Sequence, residues 1–267
     1  MSTNPITTDN KLLTRVVDIA KTTGASLLEV FSPGARPASR GDMFTVGQRN
    51  EELALSGLRD ALAELRPGAR WAGDEQESAE LPEGEWWVVD PVEGGVNLVH
   101  GLPEWCVSVT LVRDGVPVLT AVHQPVGDLT YTAVRGEGAW LNGTPLKTSA
   151  KTSLDAAIVA TSQTGSGDVV RRRLGDSVTT MLGRALFVRT SVPSTFPLLL
   201  IATGQHDVFW QYEPYLTSVA AGVLLVTEAG GVATDLGGKP WRPGSPDLVI
   251  SAPGVHTAAV EALSTVA

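Results

Sequence analysis

The chain has 267 residues, of which 43% are hydrophobic and 18% are charged, so it can bury a large core and its composition argues against disorder. A formal net charge of −9 argues against a nucleic-acid-binding protein, which normally carries a basic face. The single cysteine, Cys106, excludes an intramolecular disulfide and a cysteine-based zinc site. Because the sequence shows neither a signal-peptide pattern nor a long uninterrupted apolar run, we expect no membrane span and a cytoplasmic location.

The first part of the chain combines helix signals with a run of strand signals. Apolar residues recur at helical spacing over residues 12–30 and predict an opening helix. Residues 32–45 are rich in Pro, Gly and Ser and predict a loop, whereas residues 51–65 predict a second amphipathic helix. Beyond them, alternating apolar stretches joined by turn sequences predict an antiparallel meander of strands. Its predicted strands are residues 87–89, 106–112, 116–123 and 129–134.

After residue 150 the helix and strand signals alternate along the chain. This alternation predicts a layered α/β fold with mixed and antiparallel sheets. We therefore predict one compact unit with an N-terminal half over residues 1–150 and a C-terminal half over residues 151–267. The predicted strands of the second half are residues 156–161, 186–189, 207–212 and 248–251, and its predicted helices are residues 169–182, 196–203 and 217–228.

The sequence "DPVEGGVNLVHG", residues 90–101, follows an apolar strand. Two acids and a glycine pair at the end of a buried strand are typical of a metal or phosphate site. The longer stretch "WWVVDPVEGGVNLVHGLPEW", the meander after it and the "RGEGAWLNG" turn resemble the core of the inositol monophosphatase family. The segments "WAGDEQES", "ATGQHDVF" and "TSVAAGVLLVTEAGG" resemble further motifs of the same family, in the same order. The resemblance therefore covers nearly the whole chain.

This resemblance implies an αβαβα layered fold, a homodimer and the hydrolysis of phosphomonoesters such as inositol or sugar phosphates. It also implies Mg²⁺ ions held by carboxylates, since Mg²⁺ prefers oxygen ligands. Two such ions can activate a water molecule and neutralise the leaving oxygen. The backbone amides at the start of the helix after Gly94 and Gly95 would then face the phosphate group.

Transferred residue by residue, the resemblance predicts a reduced cluster of metal ligands. Asp90 stands at the position of the family's metal-bridging aspartate, and the Val92 carbonyl at that of a backbone ligand. Asp74 replaces a family glutamate, and Glu93 replaces a family aspartate. We therefore predict Asp74, Asp90, Val92 and Glu93 as metal ligands, with the three acids also catalytic. The alternative is that these acids are merely solvated residues at strand ends.

Other positions depart further from the family pattern. Gly95 replaces a threonine, Gln48 and Ser218 replace two aspartates, and Gln211 replaces an acidic substrate contact. The loss of three carboxylates from one cleft predicts that the cleft can hold one Mg²⁺ ion but binds a second one poorly. Binding of an anion through the backbone amides of the glycine pair needs no side chain and would survive. We predict that the substrate contacts are Gly94, Gly95, Gln48, Gln211 and Ser218.

Three functions follow from this pattern. Loss of a general base typically slows a reaction about 10²–10⁴-fold, which favours a repurposed enzyme that acts on a small anionic, phosphorylated or polyol metabolite without standard phosphate hydrolysis. The alternatives are a Mg²⁺-dependent phosphatase with a reduced site and an inactive binding or regulatory homologue. We interpret His100 as a structural hydrogen-bonding residue and Cys106 as a buried inert thiol.

Overall fold

The computed structural model describes residues 8–73, 80–162 and 167–266. The helices are α1 (Thr8–Val30), α2 (Arg40–Leu55), α3 (Leu58–Leu65), α4 (Gly95–Val99), α5 (Asp168–Leu182), α6 (Thr195–Ala202), α7 (Leu216–Glu228) and α8 (His256–Leu263). The strands are β1 (Arg70–Trp71), β2 (Glu85–Glu93), β3 (Cys106–Arg113), β4 (Val116–Gln124), β5 (Leu129–Val134), β6 (Gly138–Leu141), β7 (Thr144–Pro145), β8 (Ile158–Ser162), β9 (Phe187–Ser191), β10 (Val208–Tyr212), β11 (Val232–Thr234) and β12 (Asp247–Ser251).

The strands form two sheets. The first has seven strands in the order β1-β2-β3-β4-β5-β6-β7, antiparallel except for the parallel pair β1–β2. The second has five strands in the order β11-β12-β10-β8-β9, in which β8 runs parallel to both β9 and β10. The predicted meander and the mixed second sheet are therefore confirmed. The division into halves at residue 150 stays a prediction, and it falls between the two sheets in the sequence.

Alternating side chains on the sheets create three apolar layers. On β2, Trp87 and Val89 pack with α1 on one face of the first sheet, whereas Val88 packs with α6 and α7 on the other. On β10, Phe209 joins that same middle layer, and Trp210 packs with α5 and α8 on the outer face. Because neighbouring strand residues point to opposite faces, helices cover each sheet on both sides. The predicted αβαβα arrangement is confirmed.

The middle helices α6 and α7 are apolar on nearly all sides. Every residue of α7 from Leu216 to Val226 is buried, because the helix lies between two sheets. Its 13 residues are nevertheless too few to cross a bilayer. Across the described ranges, no helix combines the length and the apolar character that a membrane span requires.

The region before β1 differs from the prediction. The predicted loop over residues 32–45 is wrong at its end, because α2 begins at Arg40, where Ser39 Oγ accepts a hydrogen bond from the Asp42 amide at 3.1 Å. The predicted single helix over residues 51–65 is also wrong. It is divided at Gly57, whose positive φ of 82° ends one helix and starts the next. Helix α2 buries only two of its residues, so its apolar periodicity is weak in the sequence.

Candidate functional site

The two acids of the "DPVEGGVNLVHG" motif lie at the end of β2, beside a bulge. Asp90 pairs with Ser108 of β3, and the next pair is Glu93 with Cys106, so β2 carries one extra residue between them. In a regular strand, residues three apart point to opposite faces of the sheet. The extra residue offsets this alternation. As a result both acidic residues line one cleft.

The Asp90–Glu93 carboxyl pair is almost completely buried. The exposed fractions of the two residues are 4% and 3%. Asp90 Oδ1 accepts a hydrogen bond from the Val92 amide at 3.0 Å. The pKa of Asp90 lies well above its usual range, first because burial disfavours the charged form and then because the charge and hydrogen bonding of Glu93 act on it. The pair therefore favours a state in which the two carboxyls share a proton.

Glu93 is held by two donors from the second half of the chain. The Thr195 amide, at the start of α6, donates to Glu93 Oε1 at 3.2 Å. Ser218 Oγ, on α7, donates to Glu93 Oε2 at 3.2 Å. Both oxygens of this carboxylate thus accept hydrogen bonds from the protein. A metal ion bound by Glu93 would compete with these donors.

These groups line a cavity of about 690 Å³. The structure brings together every predicted site residue that it describes: Gln48, Asp90, Val92, Glu93, Gly94, Gly95, Gln211 and Ser218. The predicted ligand Asp74 lies outside the described residues. The described lining includes three acids, Glu51, Asp90 and Glu93, and no Lys, Arg or His. The described wall is therefore acidic.

The backbone of the motif fixes the shape of the cleft. Gly94 has a φ of 87°, and a Cβ atom there would lie 2.7 Å from the Glu104 carbonyl oxygen, so only glycine fits. The Asn97 side chain donates to the carbonyls of Glu104 and Val192, at 2.8 and 2.7 Å. His100 Nδ1 lies 2.7 Å from the Val96 carbonyl, in agreement with its predicted structural role. These contacts therefore fix the backbone around the cleft and supply none of its reacting groups.

The positions at which the sequence lacks acids carry neutral hydrogen-bonding groups. Gln211 is 1% exposed and donates to Ser194 Oγ at 3.1 Å, while its Oε1 atom is buried without a partner among the described residues. Gln48, on α2, donates to the exposed Glu52 side chain at 3.0 Å. Neutral oxygens attract a divalent ion less than carboxylates do. This part of the cleft is therefore poorly suited to a second ion.

The described donors fit one hard cation. Asp90 Oδ2 is buried and accepts no hydrogen bond from a donor in the described ranges, so an ion that displaced the proton shared with Glu93 could bind it. Within those ranges no group of three or more His, Cys, Asp or Glu side chains is arranged to hold a metal. A single Mg²⁺ commonly binds one or two carboxylates and keeps several waters. Asp90, Glu93 and the Val92 carbonyl are the described groups that could hold it.

Apart from Gln48, the sequence did not reveal the residues that α2 contributes to the cleft. Six residues of this helix line the cavity, in groups that recur every three or four positions: Met43, Phe44, Gly47, Gln48, Glu51 and Leu55. Such spacing is the signature of one helical face. It could have been recognised from the sequence if α2 had been extended back to Ser39. Three of the six are polar or small, so the face does not resemble a core stripe.

The family model described as "Inositol monophosphatase family" matches residues 10–266. The "Inositol-1-monophosphatase" of Rhizobium meliloti is 35% identical over 191 residues, which cover 70% of this chain and 72% of that protein. A "Putative Nus factor SuhB" of Neisseria meningitidis is 30% identical over 80% of this chain and 81% of its own length. The solved structure of Mycobacterium tuberculosis SuhB aligns with a TM-score of 0.75 at 26% identity, covering 96% of this chain and 97% of that one.

Proposed function

Because this chain belongs to the inositol monophosphatase family, whose members are Mg²⁺-dependent, we propose that it is an enzyme that keeps the family cleft without standard two-metal hydrolysis. Its reaction would be acid–base chemistry on a small polyol or anionic metabolite. One observation carries this proposal: Thr195 and Ser218 donate to both oxygens of Glu93, at a place where two-metal hydrolysis needs carboxylates free for ions.

The proposed metal requirement is one Mg²⁺ ion at most. Asp90, the Val92 carbonyl and the predicted ligand Asp74 would hold it, and Glu93 would join them by giving up its hydrogen bond from Thr195 or Ser218. When bound, this ion would act as a Lewis acid that polarises an oxygen of the ligand. Ser218 and Gln211 offer neutral oxygens and disfavour a second ion.

The proposed catalytic groups are Asp90 and Glu93, which would exchange a proton with the ligand. Thr195 and Ser218 fix the Glu93 carboxylate and so define the direction of transfer. Burial of the pair excludes water and strengthens its interaction with a bound group. A carboxyl that is protonated when it meets the ligand acts as a general acid, and its ionised neighbour acts as a general base.

The described wall favours a polyol over a free anion. Its three acids and the lack of a cation among the described lining residues would repel a phosphate unless Mg²⁺ were bound. Gln211 Oε1 and Asp90 Oδ2 are buried acceptors that hydroxyl groups could satisfy. Gly94 and Gly95, which also line the cleft, could contribute backbone contacts to the same ligand.

Each rival function has one supporting observation. The free Oδ2 atom of Asp90 favours a Mg²⁺-dependent phosphatase with a reduced site, acting on the phosphorylated small molecules typical of the family. The Neisseria relative named as a putative Nus factor favours a binding or regulatory homologue. Both rivals retain the cleft, so they must be separated by chemistry.

The deciding experiment is NMR of the purified protein in D₂O with myo-inositol 1-phosphate, glucose 6-phosphate and the two free polyols. We expect carbon-bound deuterium next to the open-chain aldehyde of glucose or glucose 6-phosphate, or product formation from any of the four compounds, without phosphate release and reduced about 10²–10⁴-fold in Asp90→Asn and in Glu93→Gln. Mg²⁺-dependent phosphate release that Asp90→Asn abolishes would instead identify the reduced phosphatase. No change in any compound would favour the binding homologue.

A restoration variant checks the metal argument. Gln48→Asp, Gly95→Thr and Ser218→Asp together should convert a single Mg²⁺ site into two and add phosphatase activity. Calorimetric titration with MgCl₂ measures the stoichiometry, and Asp128→Asn is the matched surface control because Asp128 is exposed and absent from the described cavity lining. Two high-affinity sites in the unaltered protein would contradict the proposal.

We also propose a cytoplasmic homodimer. Strand β9 is a free edge of the second sheet, and exposed Leu182, Leu186 and Phe187 accompany it. An exposed apolar edge of this kind favours association with a second copy. In light scattering, Phe187→Glu should yield a monomer and Leu28→Glu, an exposed residue on α1, should not. A dimer that persists in Phe187→Glu would exclude this interface.

A further inference from the structure

The mouth of the cleft carries apolar side chains that the proposed chemistry does not use. Phe44, Val96 and Val192 are 58%, 48% and 45% exposed, and all three line the cavity that contains Asp90 and Glu93. They come from α2, from α4 and from the segment before α6. Because three separate elements contribute them, the cluster is not one stripe of a single helix.

Two of these residues belong to segments that are tied together. Asn97, the neighbour of Val96, donates to the Val192 carbonyl at 2.7 Å. The third residue, Phe44, has the Arg40 guanidinium 5.3 Å from its ring centroid, which restrains the ring. Both contacts favour one arrangement of the apolar mouth before a ligand arrives.

The floor and the mouth of the cavity differ in chemistry. The floor presents buried acceptors without donors from the described chain, Asp90 Oδ2 and Gln211 Oε1. The mouth presents apolar surface, which water solvates poorly. A bare polyol or sugar phosphate would satisfy the floor and leave the mouth exposed. A ligand with a hydroxyl-bearing head and an apolar body would satisfy both.

We infer that the ligand of this cleft carries an alkyl or aryl group, which packs against Phe44, Val96 and Val192 while its hydroxyl groups face Asp90 and Gln211. The inference rests on the proposed function because it assumes a hydroxyl-bearing head. It extends that function by defining the substrate class as amphipathic glycosides or polyol ethers rather than simple polyols.

The test is calorimetric or NMR titration with methyl, butyl and hexyl β-D-glucosides below their micelle concentrations. The polar head is constant in this series, so the change in affinity reports the apolar group. We expect about fourfold tighter binding per added methylene until the mouth is covered, which follows from about 0.8 kcal/mol per buried CH₂. The gain in affinity from the methyl to the hexyl glucoside should fall about tenfold in Phe44→Ser. It should fall to a similar extent in the variant that combines the isosteric changes Val96→Thr and Val192→Thr.

The matched control is Val169→Thr, which changes an exposed valine on α5 that is absent from the described cavity lining. This variant should keep the full gain. An equal gain in every variant would show non-specific hydrophobic binding and overturn the inference, as would equal affinities along the series or no saturable binding of any glucoside. The titration needs no turnover, so a chain-length effect can stand even if the NMR experiment finds phosphate release.

Discussion

Acidic residues at the two ends of strand β2 have opposite surroundings and opposite pKa shifts. At the first end, Glu85 accepts hydrogen bonds from Arg66 at 2.7 and 2.9 Å and from Arg113 at 2.9 Å. These bonds, that of Arg66 foremost, lower the pKa of Glu85. At the other end, Asp90 faces Glu93 without a cation among the described lining residues, and burial raises the pKa of Asp90.

Within the nine residues of β2, the acid at the first end stabilises the fold and the acids at the other end form the candidate site. Glu85 joins the end of α3 to β2 and β3, and Arg113 extends the network to Asp9 on α1. Burial and the neighbouring Glu93 carboxyl make ionisation of Asp90 unfavourable, which disfavours the folded state when Asp90 must ionise and prepares the pair for proton transfer or cation binding. Substitutions at the two ends should therefore have opposite effects on stability.

The largest expected effect comes from Glu85→Ala. Removal of this carboxylate leaves Arg66 and Arg113 without their shared partner, and we expect a loss of about 2–3 kcal/mol in the free energy of unfolding, already reduced because both arginines are more than a third exposed. The folded-state pKa of Glu85 is lowered, so its stabilisation is present above its usual value of 4.5 and is lost as pH falls through the folded pKa. Urea denaturation at neutral and acidic pH measures both effects.

The matched control for this network is Glu83→Ala, which removes a neighbouring exposed carboxylate. It should change stability by less than about 0.5 kcal/mol. Equal losses in the two variants would show that the Glu85 network contributes nothing specific.

The opposite sign is expected for Asp90→Asn. In EDTA this substitution removes the repulsion with Glu93, and it should raise the free energy of unfolding by about 1–2 kcal/mol at neutral pH. The folded-state pKa of Asp90 is raised, so the wild type loses stability as pH rises from the unfolded value toward the folded one, and the benefit of Asn should shrink at acidic pH. A destabilised Asp90→Asn protein would show that the pair is structural.

The sequence predicted the sheets and the motif better than it predicted α2. Strand β3 is almost entirely buried, so continuous apolar runs and turn residues identified it and its neighbours. Helix α2 lies at the cleft with polar residues such as Gln48 facing it, and its start depends on the Ser39 cap rather than on hydrophobic spacing. Because α2 directs polar residues at the cleft, its sequence lacks the apolar periodicity from which this helix could have been predicted.

The sequence predicted which residues line the site, but it did not predict the hydrogen bonds and the bulge that arrange them. The motif placed Asp90 and Glu93 at one strand end, but the bulge that turns both into the cleft depends on pairing with β3. The contact of Ser218 with Glu93 joins residues 125 positions apart, and a local pattern carries no such information. The same holds for the apolar mouth, which three distant segments assemble.

The smallest expected effect tests a buried base in the same way as the buried acids. His206 is 4% exposed, and its pKa is lowered to about 4, first by burial and then by the charge of Arg189. Between about pH 6.5, the usual pKa of histidine, and about pH 4, His206 is protonated in the unfolded state and neutral in the folded state. The free energy of unfolding therefore decreases as pH falls through this range. We expect the wild type to lose about 1 kcal/mol between about pH 6.5 and 5.5 relative to His206→Gln, whose amide oxygen can still accept from Arg189. If the free energy of unfolding of the two proteins changed in parallel with pH, this prediction would be wrong. The control is His100→Gln, at the partly exposed end of α4, which should follow the wild type because it leaves His206 in place.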